Sequence, residues 1–192
     1  MDIRITLSGT SPLLCHNVQL SDPDNAFAKE IKAITAKRQK TEDDRRAIEK
    51  LEWYGGLYTA PDIQGPAYPT GNVRRCFIKA GTITKNGTGI SRALSFKALN
   101  VPLKFAGPRD IDELWASGAY ANRAAVRVSS ARTMRVRPQF ADWSLTADAF
   151  LLSDVLDFEV LKRVIEQAGL AEGLGDNRVN GYGRFTSELV EL

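Results

Sequence analysis

The stretch GLGDNRVNGYGRF, residues 173–185, brings four glycines, two arginines and a tyrosine together just before an alternating apolar segment. A hinge would need the glycines, because glycine adopts left-handed backbone conformations freely, but it would not need the arginines. Arginine binds phosphate through a planar fork of N–H donors. The combination therefore raises the question of what the arginines do in such a loop.

The composition of the 192-residue chain, with 43% hydrophobic and 26% charged residues, is typical of a one-domain globular protein. The first residues, MDIRITLSG, alternate like a strand and resemble neither a signal peptide nor a membrane span, which predicts a cytoplasmic protein with no membrane partner. Two cysteines and one histidine are too few for a disulfide framework or a histidine-rich metal site. We therefore expect neither a metal nor a cofactor.

The positive charge is concentrated in one part of the chain. Residues 72–137 contain 13 Lys or Arg against 3 Asp or Glu, a net charge of +10; since the whole chain carries +3, the remainder carries −7. Such asymmetry indicates a surface that binds a polyanion. A charge run is often only a solvated surface, but guanidinium groups suit phosphate contact and base stacking, so we favour nucleic-acid contact. The densest stretch has five arginines and no acidic residue: Arg123, Arg127, Arg132, Arg135 and Arg137.

Two charged helices are predicted in the first third of the chain. Apolar residues at helical spacing indicate a first helix within residues 24–38. Thr41 followed by Asp44 forms a capping signature for a second helix, which Gly55 and Gly56 end. The narrow apolar stripe of this hairpin indicates an insertion that packs either on its own domain or on a neighbouring subunit.

A core helix is predicted after the extended segment that ends at Pro69. We expect a turn at Thr70 and Gly71, with Asn72 as the N-cap. Either the start of this helix binds phosphate, or the helix is a capped core helix with solvated basic residues. Its apolar face consists of Val73, Cys76, Phe77 and Ala80. The basic residues away from that face, and therefore the candidate phosphate ligands, are Arg74, Arg75 and Lys79.

The remaining segments complete an α+β fold. DIRITLS, KALNVPLKF, DWSLTADAFLL and RFTSELVEL are predicted strands, DIDELWASG is a short helical segment, and a second core helix runs from Phe158 to Gly169. Two insertions are expected, a helical hairpin at about 22–58 and an Arg-rich segment at about 107–140. Without them the order is β-α-β-β-α-β, which predicts one domain, residues 1–192, with a ferredoxin-like, RRM-type core.

Two motifs and the order of elements along the whole chain resemble the RAMP superfamily, specifically the CRISPR effector backbone subunits. GPAYPTGNVRRCFIKAG is similar to the strand-to-helix segment of that family, and GLGDNRVNGYGRF is similar to its glycine-rich loop. The charged hairpin makes the chain look more like stand-alone relatives from bacteriophage genomes. The resemblance implies that the backbone approaches a single strand at Gly173, Gly175, Gly181 and Gly183, that phosphate is contacted by Arg178 and Arg184, and that a base stacks on Tyr182, unless Tyr182 is a core aromatic.

Charge pattern and resemblance together predict a protein that binds single-stranded RNA or DNA with little sequence specificity, and that forms a homo-oligomer or filament along the strand. The expected setting is the cytoplasm of a bacterial or phage-infected cell. The alternative is a metal-independent endoribonuclease of the RAMP type, in which His16, just after the first strand, acts on a 2′-hydroxyl. Because His16 stands alone, we favour binding over catalysis and expect no catalytic residue.

Overall fold

The computed structural model describes the backbone of residues 1–128 and 131–192 and the side chains of residues 1–126 and 132–192. Within these ranges the chain forms a mixed α+β fold with antiparallel sheets, which confirms the predicted class at this level. The elements are β1 (Asp2–Gly9), β2 (Leu13–Leu14), α1 (Ala26–Thr35), α2 (Glu42–Gly56), β3 (Ala67–Pro69), α3 (Thr70–Ile83), α4 (Gly87–Ala93), β4 (Leu94–Phe96), β5 (Asn100–Pro102), α5 (Ile111–Ser117), β6 (Ala121–Val128), β7 (Ala131–Phe140), β8 (Ser144–Leu151), α6 (Phe158–Gln167) and β9 (Phe185–Glu191).

The chain divides into two compact units. The first consists of Met1–Leu13, Thr59–Gly107 and Phe140–Leu192, and the second consists of Leu14–Tyr58 and Pro108–Gln139. The two segments of the second unit overlap the insertions expected from the sequence. In the described part of either unit, every helix is too short or too polar to cross a membrane.

The first unit is built on a four-stranded antiparallel sheet in the order β4, β8, β1, β9. Ile5 of β1 lies opposite Ala147 of β8 and Leu189 of β9, and all three are buried. Alternation along the strands gathers such apolar residues on one face. Helix α6 packs on β9 and helix α3 packs on α6. Their predicted apolar faces are confirmed, with Phe77 and Ile165 both fully buried.

The predicted second strand, KALNVPLKF, is wrong as a single element. Only β5 lies within that segment, and it pairs with β3 in a separate two-stranded ribbon. The strand that joins the four-stranded sheet, β4, ends just before the segment at Phe96. Helix α4, which the sequence analysis did not predict, precedes β4 directly. Between the two strands, the carbonyl oxygens of Ala98 and Leu99 accept hydrogen bonds from Thr70. The sheet ladder therefore stops before Ala98.

The predicted start of the core helix is also wrong, because α3 begins at Thr70 rather than after Asn72. The Thr70 hydroxyl donates to the Ala98 carbonyl oxygen at 2.6 Å, and the Thr70 backbone N–H donates to the Leu99 carbonyl oxygen at 2.9 Å. These contacts hold the first turn in helical geometry, so Thr70 and Gly71 are helical rather than a turn. Pro69 stands at the N-cap position without a side-chain cap.

The second core helix runs further than predicted. Helix α6 ends at Gln167, but a π-helical turn continues over Ala168–Glu172, so Gly169 lies inside helical backbone. A Cβ at Gly169 would lie 2.0 Å from the Phe185 carbonyl oxygen. This glycine is therefore explained by close packing against the start of β9 and not by helix termination.

In the second unit, helices α1 and α2 pack together as the predicted hairpin. The capping box is confirmed, since the Thr41 side chain accepts from the Asp44 backbone N–H and the Asp44 side chain accepts from the Thr41 backbone N–H. Gly55 and Gly56 form the last residues of α2. The helix thus ends where its sequence indicates.

Strands β6 and β7 form an antiparallel ribbon, with Ala121 opposite Pro138 and Arg123 opposite Val136. The sequence analysis left open whether the Arg-rich stretch forms a ribbon or a loop that orders on binding. The described residues of this stretch, on either side of residues 129–130, form a ribbon. It is attached to α2 of the same unit. The Trp53 indole N–H donates to the Tyr120 carbonyl oxygen at 2.8 Å, and the buried Glu52 carboxylate accepts from the Val136 backbone N–H at 3.0 Å.

We predict that Glu52→Ala destabilises the protein by about 3 kcal/mol, because it leaves the buried Val136 N–H without an acceptor and removes the carboxylate that Arg135 contacts. The matched control is Glu49→Ala on the same helix. Glu49 forms a more exposed ion pair with Arg123, and its loss is expected to lower stability by less than about 1 kcal/mol. Urea denaturation measures both values, and equal losses would contradict this account of Glu52.

Candidate nucleic-acid interface

The glycine-rich loop, residues 173–184, brings two backbone segments into close contact. All four of its glycines have positive φ angles, from +70° at Gly183 to +85° at Gly181. The Leu174 backbone N–H donates to the Gly183 carbonyl oxygen at 2.9 Å, and a Cβ at Gly183 would lie only 1.8 Å from the Leu174 carbonyl oxygen. At Gly183, the glycine is required by the loop itself.

The residues that follow β1 fix the loop from the other side. The Ser11 hydroxyl donates to the Gly181 carbonyl oxygen at 2.7 Å and accepts from the Arg184 backbone N–H at 2.8 Å. The Gly183 backbone N–H donates to the Pro12 carbonyl oxygen at 2.8 Å. The loop is therefore a docked part of the first unit and not a free connection.

The charge of the two loop arginines is not paired with a carboxylate among the described residues. In the part of the chain that the structure describes, neither Arg178 nor Arg184 forms an ion pair with a carboxylate. The Arg184 Nη2 donates to the Arg178 carbonyl oxygen at 3.1 Å, whereas its Nη1 is buried and has no hydrogen-bond partner among the described residues. A guanidinium group without a carboxylate partner gains charge-assisted hydrogen bonds when a phosphate oxygen contacts its solvent-accessible N–H groups. The loop is thus chemically suited to an anion.

The two tyrosines at the loop have different environments. Tyr182 is half-buried, and its hydroxyl makes no hydrogen bond to the described residues, so part of the ring faces solvent. Tyr68 of β3 is fully buried, and its hydroxyl accepts from the Gly175 backbone N–H at 2.9 Å. The sequence analysis missed Tyr68. Its position two residues before the core helix, in the segment most similar to the RAMP motif, is the signal that could have found it.

Helix α3 holds the loop through a thiol. The Cys76 Sγ donates to the Gly173 carbonyl oxygen at 3.2 Å. Burial raises the pKa of the Cys76 thiol to about 12, so the group stays protonated at neutral pH and keeps its donor proton. Burial raises the pKa of Cys15 to about 12 as well. Both thiols are therefore packing groups rather than nucleophiles.

The basic residues of α3 have unequal roles. Arg74 donates from Nε to the Leu94 carbonyl oxygen at 3.0 Å and from Nη2 to the Ser91 carbonyl oxygen, so it satisfies the end of α4. Lys79 forms a 2.6 Å ion pair with Glu172. Arg75 is exposed and forms no ion pair within the described ranges. Of these three candidates, Arg75 extends into solvent with its charge uncompensated.

Two arginines of the ribbon are committed to contacts inside the second unit. The Arg123 Nε lies 3.0 Å from a Glu49 carboxylate oxygen, and the Arg135 guanidinium contacts the buried Glu52 carboxylate. These contacts attach the ribbon to α2. Arg135 therefore acts mainly in folding. The ion pair of Arg123 with Glu49 is exposed enough for another anion to replace Glu49.

The other ribbon arginines differ in exposure. Arg132 is exposed, and Arg137 is half-buried. The side chain of Arg127 lies outside the described residues, so its predicted contact stays a prediction. Among the described ribbon arginines, Arg132 is exposed and forms no ion pair, so it is a candidate ligand of an anion.

The candidate base of the alternative activity, His16, is exposed and follows β2. Its backbone carbonyl oxygen accepts a hydrogen bond from the Tyr58 hydroxyl at 2.9 Å. Within the residues that the structure describes, no group of three or more His, Cys, Asp or Glu side chains could hold a metal ion. A nuclease role for His16 stays a prediction.

The solvent-facing side of the four-stranded sheet is not an aromatic platform. On the central strands β1 and β8, an ion pair joins Arg4 and Asp148, with nitrogen–oxygen distances of 2.7 and 2.9 Å. The hydrogen bond from Arg4 holds the pKa of Asp148 below its ordinary value. Thr6 faces Thr146 beside this pair, and Phe150 lies towards the end of β8. RRM domains stack bases on aromatic residues of this face, and the described polar residues do not suit the face to that kind of contact.

No protein-family model matches the chain, and the search of curated proteins found no significant relative. The class that the structure itself defines is a mixed α+β protein with a docked glycine-rich loop and a basic ribbon. Its resemblance to the RAMP superfamily therefore continues to depend on motifs and on the order of elements.

We predict that Gly183→Ala destabilises the protein by more than about 3 kcal/mol, since its Cβ meets the Leu174 backbone and its φ angle is left-handed. The matched control is Gly181→Ala in the same loop, where φ is also positive but no atom lies within 4 Å of the added Cβ. That change is expected to cost about 1–2 kcal/mol, from backbone strain alone. Denaturant titration compares the two, and a smaller loss for Gly183→Ala would refute the close-contact explanation.

Proposed function

We propose that the protein binds single-stranded RNA or DNA, mainly through the sugar–phosphate backbone and with little sequence specificity. The observation that carries the proposal is the glycine-rich loop, which is held rigidly while Arg178 and Arg184 remain without carboxylate partners. A fixed loop with uncompensated guanidinium groups loses little entropy when it binds phosphate. Phosphate contacts carry no sequence information, and this is the reason for low specificity.

The arrangement of the first unit supports a ferredoxin-like core and a relation to RAMP proteins. When the second unit, β2, the β3–β5 ribbon and helix α4 are left out, the elements follow the order β1, α3, β4, β8, α6, β9. The sheet order β4, β8, β1, β9 places the first and third of these four strands in the centre, as in a β-α-β-β-α-β fold. The glycine-rich loop lies directly before the last strand, as the resemblance requires.

The ligand set of the proposal is narrower than the set of basic residues. Arg75, Arg178 and Arg184 contact phosphate at the first unit, and Tyr182 stacks on a base. Arg132 contacts the strand at the second unit, with Arg127 and Arg137 as further ligands expected from the sequence. Arg74, Lys79 and Arg135 support the fold through the contacts described above.

We further propose that several copies assemble along one strand in the bacterial or phage-infected cytoplasm. Helix α1 supports this, because none of its residues is fully buried although Phe27, Ile31 and Ile34 form an apolar stripe. The −7 charge outside residues 72–137 complements the +10 within them, and head-to-tail contact between unlike surfaces extends into an array. Helix α2, in contrast, contacts the ribbon of its own chain.

Fluorescence anisotropy with labelled oligonucleotides tests the function. We expect a single strand to bind at least about tenfold more tightly than a duplex of the same length. We also expect the protein not to cleave the strand during the measurement. The double substitution Arg75→Gln and Arg178→Gln removes two phosphate contacts. It is expected to weaken binding by about tenfold or more and to reduce the salt dependence by about one unit of slope per arginine.

The control is Arg163→Gln, an exposed arginine on α6 without an ion pair among the described residues. It changes the net charge in the same direction but leaves the proposed interface intact, so binding is expected to change little. Equal affinity for strand and duplex, or equal effects of all the substitutions, would contradict the proposal. Light scattering on a long strand counts the bound copies, and a single copy per strand would refute assembly.

A further inference from the structure

A groove on the second unit combines an aromatic surface with positive charge. Helix α2 supplies one wall, α5 supplies Trp115 and β6 supplies Arg123. The groove contains about 730 Å³ of empty space, including the part that is open to solvent. Its lining residues are Arg46, Ala47, Glu49, Lys50, Trp115 and Arg123.

The charge of the groove favours an anion. Three cations line it against one carboxylate, that of Glu49, which is paired with Arg123 at 3.0 Å. Arg46 forms a 2.5 Å ion pair with Glu42, but both side chains are about 70% exposed, so another anion can readily replace Glu42. Lys50 forms no ion pair within the described ranges, and its Nζ lies 5.4 Å from the centre of the Tyr54 ring.

The aromatic surface of the groove is rigidly supported. The half-buried Trp115 ring packs against Trp53 and Tyr54, with ring centres 5.6 and 6.2 Å away. Tyr54 is fixed in turn by a 2.5 Å hydrogen bond from its hydroxyl to Asp112. The Trp115 indole N–H has no hydrogen-bond partner among the described residues. A fixed, partly exposed indole beside cations offers stacking and a donor at the same place.

We propose that this groove binds one nucleotide of a single strand, with its base stacked on Trp115 and its phosphate on Lys50 and Arg46. A nucleotide matches the groove because it joins a flat aromatic group to an anion at a short distance. The inference rests on the proposed function but uses different residues from the glycine-rich loop. It also supplies the base contact that the polar face of the four-stranded sheet does not offer.

Oligonucleotides with and without bases test the proposal directly. The wild-type protein is expected to bind a normal single strand about tenfold more tightly than a strand of the same length made of abasic units, since stacking acts on the base alone. Trp115→Leu is expected to abolish most of this preference, whereas Trp115→Phe retains a ring and most of the preference. Tyr182→Leu, measured alongside, separates the contribution of the glycine-rich loop.

The charge component is tested with Lys50→Gln, for which Arg163→Gln is the matched control. Lys50→Gln is expected to weaken binding of normal and abasic strands alike, because both retain the phosphate. If Trp115→Leu keeps the wild-type unfolding temperature and the wild-type base preference, the groove does not bind a nucleotide, although the proposed function is unaffected. Absence of any binding to a single strand would refute the proposed function and the groove together.

Discussion

The glycine-rich loop of the first unit depends on the close contact between the backbones of Leu174 and Gly183. Because the two carbonyl groups and the intervening N–H approach so closely, no residue with a Cβ fits at Gly183. The contact closes the loop and, through Ser11 and Pro12, ties it to the end of β1. It therefore fixes the position at which β9 enters the sheet beside β1, and it also fixes the backbone that carries Arg184. This steric requirement explains Gly183 but not Arg178 and Arg184, for which we propose an anionic ligand.

In the second unit, attachment of the ribbon determines which arginines remain for binding. Glu52 is nearly inaccessible, and it receives a backbone N–H and a guanidinium from adjacent residues of β7. A carboxylate buried to this extent requires such partners, so the Arg135 side chain pairs with Glu52 rather than with an external anion. The total of positive charge in the sequence consequently overstates the charge that is available to an external anion. The arginines best suited to such an anion are those that form no ion pair among the described residues.

The elements that follow local patterns were predictable, and those that depend on distant partners were not. β1, β8 and β9 alternate clearly, and the Thr41–Asp44 capping box lies within four residues, so local chemistry determines both. The start of α3 depends instead on the Ala98 and Leu99 carbonyl oxygens, nearly thirty residues away in the sequence. The same long-range contact interrupts the predicted second strand.

The candidate site follows the same rule. The glycine-rich loop was recognisable from composition, because positive φ angles and close backbone contacts leave few residue types other than glycine. The internal role of Arg74 and the exposure of Trp115 were not recognisable, since each depends on a neighbour from another element. A tryptophan in the short helix DIDELWASG, away from the predicted core, was the one sequence signal for the groove.

We propose that single-stranded nucleic acid contacts the glycine-rich loop and the ribbon of strands β6 and β7. Hydrogen–deuterium exchange with and without a saturating single-stranded oligonucleotide, measured by peptide mass spectrometry, tests it most directly. We predict slower exchange in peptides that cover the loop and strands β6 and β7, with no change in peptides that cover α6. Slower exchange confined to α6 or to the four-stranded sheet, with the loop and ribbon unaffected, would contradict the claim.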